Sequence, residues 1–143
     1  MTTAFAVRTA RWPEDADLLQ SLRHDVFVVE QGVPATLEWD GIDARCVHAL
    51  AVASDGTAVG CGRLLPDGHI GRMAVLRPWR GRGVGGALLV HLVDLARHRG
   101  ESSVVLNAQT HAVDFYRRHG FVPLGPTFME AGIPHQAMQR PLA

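Results

Sequence analysis

The sequence IGRMAVLRPWRGRGVGGALLV, residues 70–90, constrains the fold most. A short apolar run ends at Val75. A connector containing Pro78 follows, and then a loop dense in glycine and arginine. Beyond it Val84, Leu88, Leu92 and Leu95 fall on one helical face running to Arg99, where Gly100 stops the helix. The order is strand, anion loop, helix. Backbone N–H groups at a helix N-terminus, flanked by guanidinium groups, suit a phosphate. All 14 basic residues are arginine. The absence of lysine excludes a Walker lysine or a Schiff base in this chain, while arginine grips phosphate bidentately.

The flanking sequence sets the context for that loop. Residues 48–53, 58–65 and 69–75 read as strands separated by Ser54-Asp55-Gly56 and Pro66-Asp67-Gly68. Asp-Gly between apolar runs signals a hairpin, because such turns need residues that tolerate positive φ. A three-stranded antiparallel meander is predicted. Residues 103–106 form a β-branched apolar run, so strand, helix and strand predict a right-handed crossover between parallel strands. Residues 4–9 read as a first strand. A helix is predicted from Trp12-Pro13-Glu14-Asp15, with Leu18, Leu19, Leu22 and Val26 as its stripe, to about Glu30; Gly32 and Pro34 break it. Residues 35–47 lack a period and read as a loop or short second helix with an exposed acidic side of Glu38, Asp40 and Asp43. Thr110 is the expected N-cap of a helix carrying Val113, Phe115 and Tyr116, which Gly120 ends. Residues 121–124 and 134–140 read as the last strands, separated by residues 126–132.

This pattern, without a repeat or linker, predicts one domain over residues 1–143 in the α/β (α+β) class. A formal net charge of zero and a pI near 7.1 imply no global attraction to nucleic acid or a membrane surface. No apolar run approaches the ~18 residues of a membrane span. Cys46 and Cys61 lack zinc-ligand spacing, so reduced thiols, no metal site and a cytoplasmic location are expected.

Gly81-x-Gly83-x-x-Gly86 matches the dinucleotide fingerprint, but residues 76–80 separate it from its strand. Asn107 stands where a ribose-binding carboxylate belongs. The meander also leaves no room for a doubly wound sheet. Arg80-x-x-Gly83-x-Gly85, after a strand ending Met73-Ala74-Val75, instead resembles the acetyl-CoA motif of the GNAT N-acetyltransferases. The predicted element order is similar to that family over nearly the whole chain. Leu106-Asn107-Ala108-Gln109 followed by Phe115-Tyr116-Arg117-Arg118-His119-Gly120-Phe121 is similar to the family's strand-then-helix segment, and Arg23-x-x-Val26-Phe27-Val28-Val29-Glu30-Gln31, His48, Ile70-Gly71-Arg72, Asn107-Ala108-Gln109 and Gly132-Ile133-Pro134-His135 together resemble the ElaA-type subgroup.

The resemblance implies a mixed central sheet whose two parallel strands splay at the cofactor site. It implies an N-acetyltransferase using acetyl-CoA as co-substrate, by direct attack in a ternary complex, on a primary amine of a small molecule or peptide. Arg80, Gly81, Arg82, Gly83, Val84, Gly85 and Gly86 would cradle the pyrophosphate. Met73, Ala74 and Val75 would pair with the pantetheine arm through their backbone, and the Met73 N–H would face the thioester oxygen. Asn107 would contact the arm or simply end its strand. Tyr116, the only tyrosine, would protonate the departing thiolate. The base stays open among Glu30, Glu38, Asp40 and His135, with Glu30 or His135 favoured by the subgroup strings. A non-catalytic CoA or acyl-CoA-binding module is the alternative. Both monomer and homodimer are compatible with these patterns.

Overall fold

The computed structural model describes residues 4–142. A four-stranded antiparallel sheet runs in the order β1 (Phe5–Ala10), β2 (Val47–Ala53), β3 (Ala58–Leu64), β4 (Ile70–Val75). The last three strands are the predicted meander. At its turns Gly56 and Gly68 have φ of 90° and 92°. Asp55 Oδ1 accepts the Thr57 N–H at 2.9 Å and Asp67 Oδ1 accepts the His69 N–H at 3.0 Å, so each aspartate closes its own turn. A second, three-stranded sheet runs β5 (Ser103–Gln109), β7 (Ile133–Pro141), β6 (Val122–Glu130).

Helix α3 (Val84–Arg99) lies between left-handed Gly83 and Gly100, as its sequence predicts. It buries Leu88, Leu89, Leu92, Val93 and Ala96. It sits close on β3 because two strand positions there lack a side chain. A Cβ on Gly60 would lie 2.9 Å from Val84 Cγ1, and one on Gly62 would strike Met73 and Leu92. The main core joins α3 and α4 (Val113–Arg118) to both sheets through Leu64, Leu106, Phe121 and Met138. A smaller core on the opposite face packs Leu19, Leu22 and Val26 against Leu50, Cys61 and Ala74.

Four expectations require correction. The first helix is not uniform: α1 (Ala16–Arg23) passes into a π-helical segment, His24–Glu30, whose wider turn is closed by Gln31 N–H to the Val26 carbonyl at 3.0 Å. The acidic segment is not exposed. It forms α2 (Ala35–Glu38) and a 3-10 turn, Asp43–Arg45, and buries the side chains of Glu38 and Asp43. Thr110 does not cap α4; it opens a 3-10 turn, Thr110–Ala112, before it. Strand β6 runs on to Glu130 because Pro126 falls where its register against β7 shifts, on an edge where a missing N–H costs nothing. Gln136 Nε2 donates to the Leu124 and Gly125 carbonyls at 3.0 Å each and bridges that irregularity.

The parallel crossover is nearly unpaired. Among the described residues, β4 and β5 approach as strands only at the His69–Val105 bridge, with Val105 N–H donating to the Gly68 carbonyl at 3.2 Å. Beyond it the two sheets part. The close packing behind this arrangement is testable. Gly62→Ala should destabilise the protein by about 1–3 kcal/mol through overpacking. Gly71→Ala, with ordinary φ and open space, should change it by less than about 0.5 kcal/mol. Urea unfolding measures both, and equal midpoints would contradict the contact of α3 with β3.

Candidate active site

The parting of β4 from β5 leaves the outer edge of Met73, Ala74 and Val75 without a neighbouring strand. At the end of β4 a 3-10 turn, Arg77–Trp79, leads into the glycine loop. Gly81 and Gly83 have φ of 76° and 84°, and an added Cβ at either would meet nothing within 4 Å, so the constraint on both is conformational. Gly83 is also the N-cap residue of α3, and no side chain caps that end. The first intrahelical bond is Ala87 N–H to the Gly83 carbonyl at 3.0 Å. The amides of Val84, Gly85 and Gly86 therefore lack intrahelical acceptors and point outward with the positive end of the helix dipole. Arg82 lies over the Trp79 ring, 5.1 Å from its centroid. The loop thus presents free backbone amides and the positive end of a helix beside an open strand edge, an arrangement suited to an anion.

Two expected site residues are engaged with each other. Arg80 Nη1 and Nη2 donate to Glu30 Oε2 and Oε1 at 2.6 and 2.8 Å, and Arg80 Nε donates to the Val75 carbonyl at 2.9 Å. Arg77 adds a second cation 3.3 Å from Glu30. Arg80 thus ties the π-helical segment to the end of β4 instead of extending its fork into the cradle. The Arg80 hydrogen bonds hold the Glu30 carboxyl below the usual range, which makes it a poor proton acceptor. The Val75 carbonyl is likewise already used.

Tyr116 is buried between Phe115 and Phe121, with ring centroids at 5.0 and 5.9 Å. Burial pushes its phenol up to about 12, so it keeps its proton throughout the neutral range. Asn107 lies within β5 rather than at its end, exposed and opposite Ala137. Strand alternation places Asn107 and Gln109 on the face opposite the buried Leu106 and Ala108. On β7, His135 stands opposite Gln109. His135 Nδ1 is 2.7 Å from the Ile133 carbonyl, which can only accept, so Nδ1 carries a proton. Glu130 lies 3.6 Å from that Nε2, and Phe128 stacks on the ring.

Sequence reasoning gave no role to a bridge across this opening. Gln109 Nε2 donates to Gln31 Oε1 at 2.9 Å, and His111 Nε2 donates to Gln109 Oε1 at 2.8 Å, linking the second sheet to the turn after the π-helical segment. It also missed a charge cluster on the α2 side. Buried Arg23 donates to Asp43 at 2.6 Å, and buried Arg63 pairs with Asp43 at 2.8 Å and with Asp40. Arg72 Nε lies 2.8 Å from buried Glu38. Hydrogen bonding from Arg63 holds Asp40 down at about 2, whereas burial pushes Glu38 up against the pull of its arginines. The available signal was an arginine inside each of two apolar patterns, Arg23 in the first helix and Arg63 in the second meander strand.

A family model for the acetyltransferase (GNAT) domain matches residues 22–142. The chain belongs to the GNAT acetyltransferase family. Within that family it is of the ElaA type. Escherichia coli ElaA is 34% identical over 130 residues, 85% of this chain and 84% of its own. The ElaA crystal structure matches with a TM-score of 0.83 and 31% identity over 97% of this chain and 99% of that one. The Bacillus subtilis uncharacterized N-acetyltransferase YjcF is 41% identical over 123 residues, covering 83% of this chain and 87% of YjcF. A Pseudomonas aeruginosa acyl-CoA N-acyltransferase structure matches with a TM-score of 0.80 and 32% identity over 97% and 99% of the two chains. The mixed α+β fold with its split sheet is the GNAT fold.

The Glu30–Arg80 pair in this GNAT can be tested without any ligand. Glu30 should titrate below the ordinary carboxylate range, and Arg80→Ala should move it upward, followed by carbon-13 NMR of the side-chain carboxyl. An unchanged titration would show that the pair does not form in solution.

Proposed function

We propose that this GNAT transfers an acetyl group from acetyl-CoA to a primary amine of a small molecule or peptide, by direct attack in a ternary complex. The observation that carries the reading is the unpaired edge at Met73 and Ala74, followed one short connector later by the uncapped N-terminus of α3. An extended amide-bearing arm fits the edge, and a pyrophosphate fits the cradle of Gly81, Gly83, Val84, Gly85 and Gly86. Arg82 is the nearby cation free of a carboxylate partner among the described residues. Arg80 supports the cradle from behind through Glu30. Acetyl-CoA supplies an activated acyl carbon; the chain's own residues orient and polarise it and move protons.

The Met73 N–H donates to the thioester oxygen as negative charge grows there. Asn107 offers its amide to the arm from the β5 side. The amine nitrogen bonds to the acyl carbon as the carbon–sulfur bond breaks, and the sulfur takes a proton from Tyr116. The proton lost by the amine passes to His135 Nε2, directly or through water, since Ile133 holds the Nδ1–H and leaves Nε2 as the ring nitrogen that can accept. Glu30 is set aside as the base because Arg80 and Arg77 keep it ionised and paired. Both Cys46 and Cys61 are free thiols; Cys61 is buried in β3 and burial pushes it up to about 12, which suits direct attack better than an acyl-cysteine route.

Tyr116→Phe should lower kcat by about 10–100-fold and leave acetyl-CoA affinity within about twofold. The raised phenol gives a pH signature. Its proton is retained until the pH nears about 12, so kcat should show no falling limb from Tyr116 between neutral pH and pH ~10. Steady-state thiol release read against pH, beside calorimetric binding, measures both. Unchanged kcat in the phenylalanine variant, with chemistry rate-limiting, removes the acid role.

A further inference from the structure

The register of β4 against β3 contains a break at one place. Gly60 and Cys61 pair with Val75 and Ala74, and Arg63 and Leu64 pair with Gly71 and Ile70. Between these pairs β3 supplies only Gly62, while β4 supplies both Arg72 and Met73. This is a β-bulge, and it takes the extra residue out of the ladder. The first bulge residue of such an arrangement favours glycine, because its backbone is left-handed. Here that residue is Arg72, with φ of 51°, although Gly71 stands immediately before it.

The arginine side chain accounts for this choice. From the left-handed position it reaches back over the end of α2. Its Nη2 donates to the Leu37 carbonyl at 3.3 Å and the Glu38 carbonyl at 3.2 Å, and lies 3.4 Å from Asp40. Its Nε lies 2.8 Å from the Glu38 carboxylate. Glu38 is almost wholly buried, has Arg23 Nε 3.5 Å from the same oxygen, Oε1, and sits in the cluster that Asp43 and Arg63 complete. The anchor therefore belongs to the packed interior, not to a mobile surface. Arg72 connects that interior to the single distorted turn of β4.

We propose that Arg72 is a positioning residue. Clamped by Glu38 and the Leu37 and Glu38 carbonyls, it holds the β4 bulge in the shape that turns the Met73 N–H out of the sheet and toward the thioester oxygen. Because the clamp sits on α2, the same contact fixes the segment carrying exposed Leu37 and Trp39 relative to the donor strand. The inference rests on the proposed role of the Met73 amide. Arg72 itself touches no reacting atom.

Three variants and one spectroscopic reading test it. Arg72→Ala removes the clamp. Arg72→Gly removes it while making the left-handed backbone easy. Arg72→Lys keeps a cation beside Glu38 but cannot fork to the carboxylate and both carbonyls, and it serves if the smaller variants do not fold. Displacing a polarising donor by an ångström or losing it should lower kcat by about 10–100-fold in all three, with the KM for acetyl-CoA within about twofold because the cradle is untouched. The Met73 amide resonance in the wild-type protein should move when acetyl-CoA replaces CoA, and this difference should vanish in the variants. Full kcat in Arg72→Gly would overturn the clamp, since a permissive backbone would then suffice. So would a kcat loss that leaves the Met73 difference intact. A wild-type Met73 amide that does not distinguish acetyl-CoA from CoA overturns the polarisation reading itself, and with it this inference.

Discussion

The separation of β4 from β5 is the constraint on which the rest of the molecule depends. A strand–helix–strand unit ordinarily closes with a parallel ladder. Here one bridge, His69 to Val105, is the hinge, and past it the backbone groups of both strands face an opening. Unpaired backbone groups in a fold are costly unless water or a ligand satisfies them. The chain keeps this opening by building firmly on both sides. Glycines at 60 and 62 let α3 sit directly on β3, so the meander is rigid behind the opening. The second sheet takes its own pairing, in the order β5-β7-β6, and stands as a separate unit.

Charge serves as the second structural material, and its basic half is all arginine. Arg80 and Glu30 fasten the π-helical segment to the end of β4. Arg23, Arg63 and Arg72 meet Glu38, Asp40 and Asp43 beneath α2. The three cations balance the three carboxylates. Buried ion pairs of this kind contribute little net stability against an apolar equivalent, but losing one partner is costly because it strands the other. Their evident use here is geometric. Each guanidinium fork fixes several oxygens at once, and both clusters end on β4, the strand whose edge faces the opening.

Much of the fold was legible because its signals were local. Asp55-Gly56 and Asp67-Gly68 defined their turns within four residues of chain. The bounds of α3 follow from Gly83 and Gly100, and the anion loop from its own glycines. The resemblance of the motif strings carried the family and the split sheet. What stayed hidden depended on pairings distant in sequence. Glu30 looked like a solvated or catalytic carboxylate until Arg80, fifty residues on, was placed beside it. Glu38 and Asp43 looked exposed because no period marked them, yet Arg23 and Arg63 draw them inside. Strand β6 was cut short in prediction by Pro126, which a sheet edge tolerates. The bulge at Arg72 was invisible because Gly71, next to it, is the residue a reader would assign to a left-handed turn.

The central claim is that the opening between β4 and β5 holds an acyl-CoA for transfer to an amine. Its most direct test is thiol release from acetyl-CoA across a broad panel of small and peptidyl primary amines, with each product weighed by mass spectrometry. We expect at least one amine to accelerate CoA release severalfold, with an N-acetylated product in equal amount. Tight acetyl-CoA binding with no amine-dependent release and no acetylated product anywhere in the panel would contradict the claim and leave a CoA-binding module in its place.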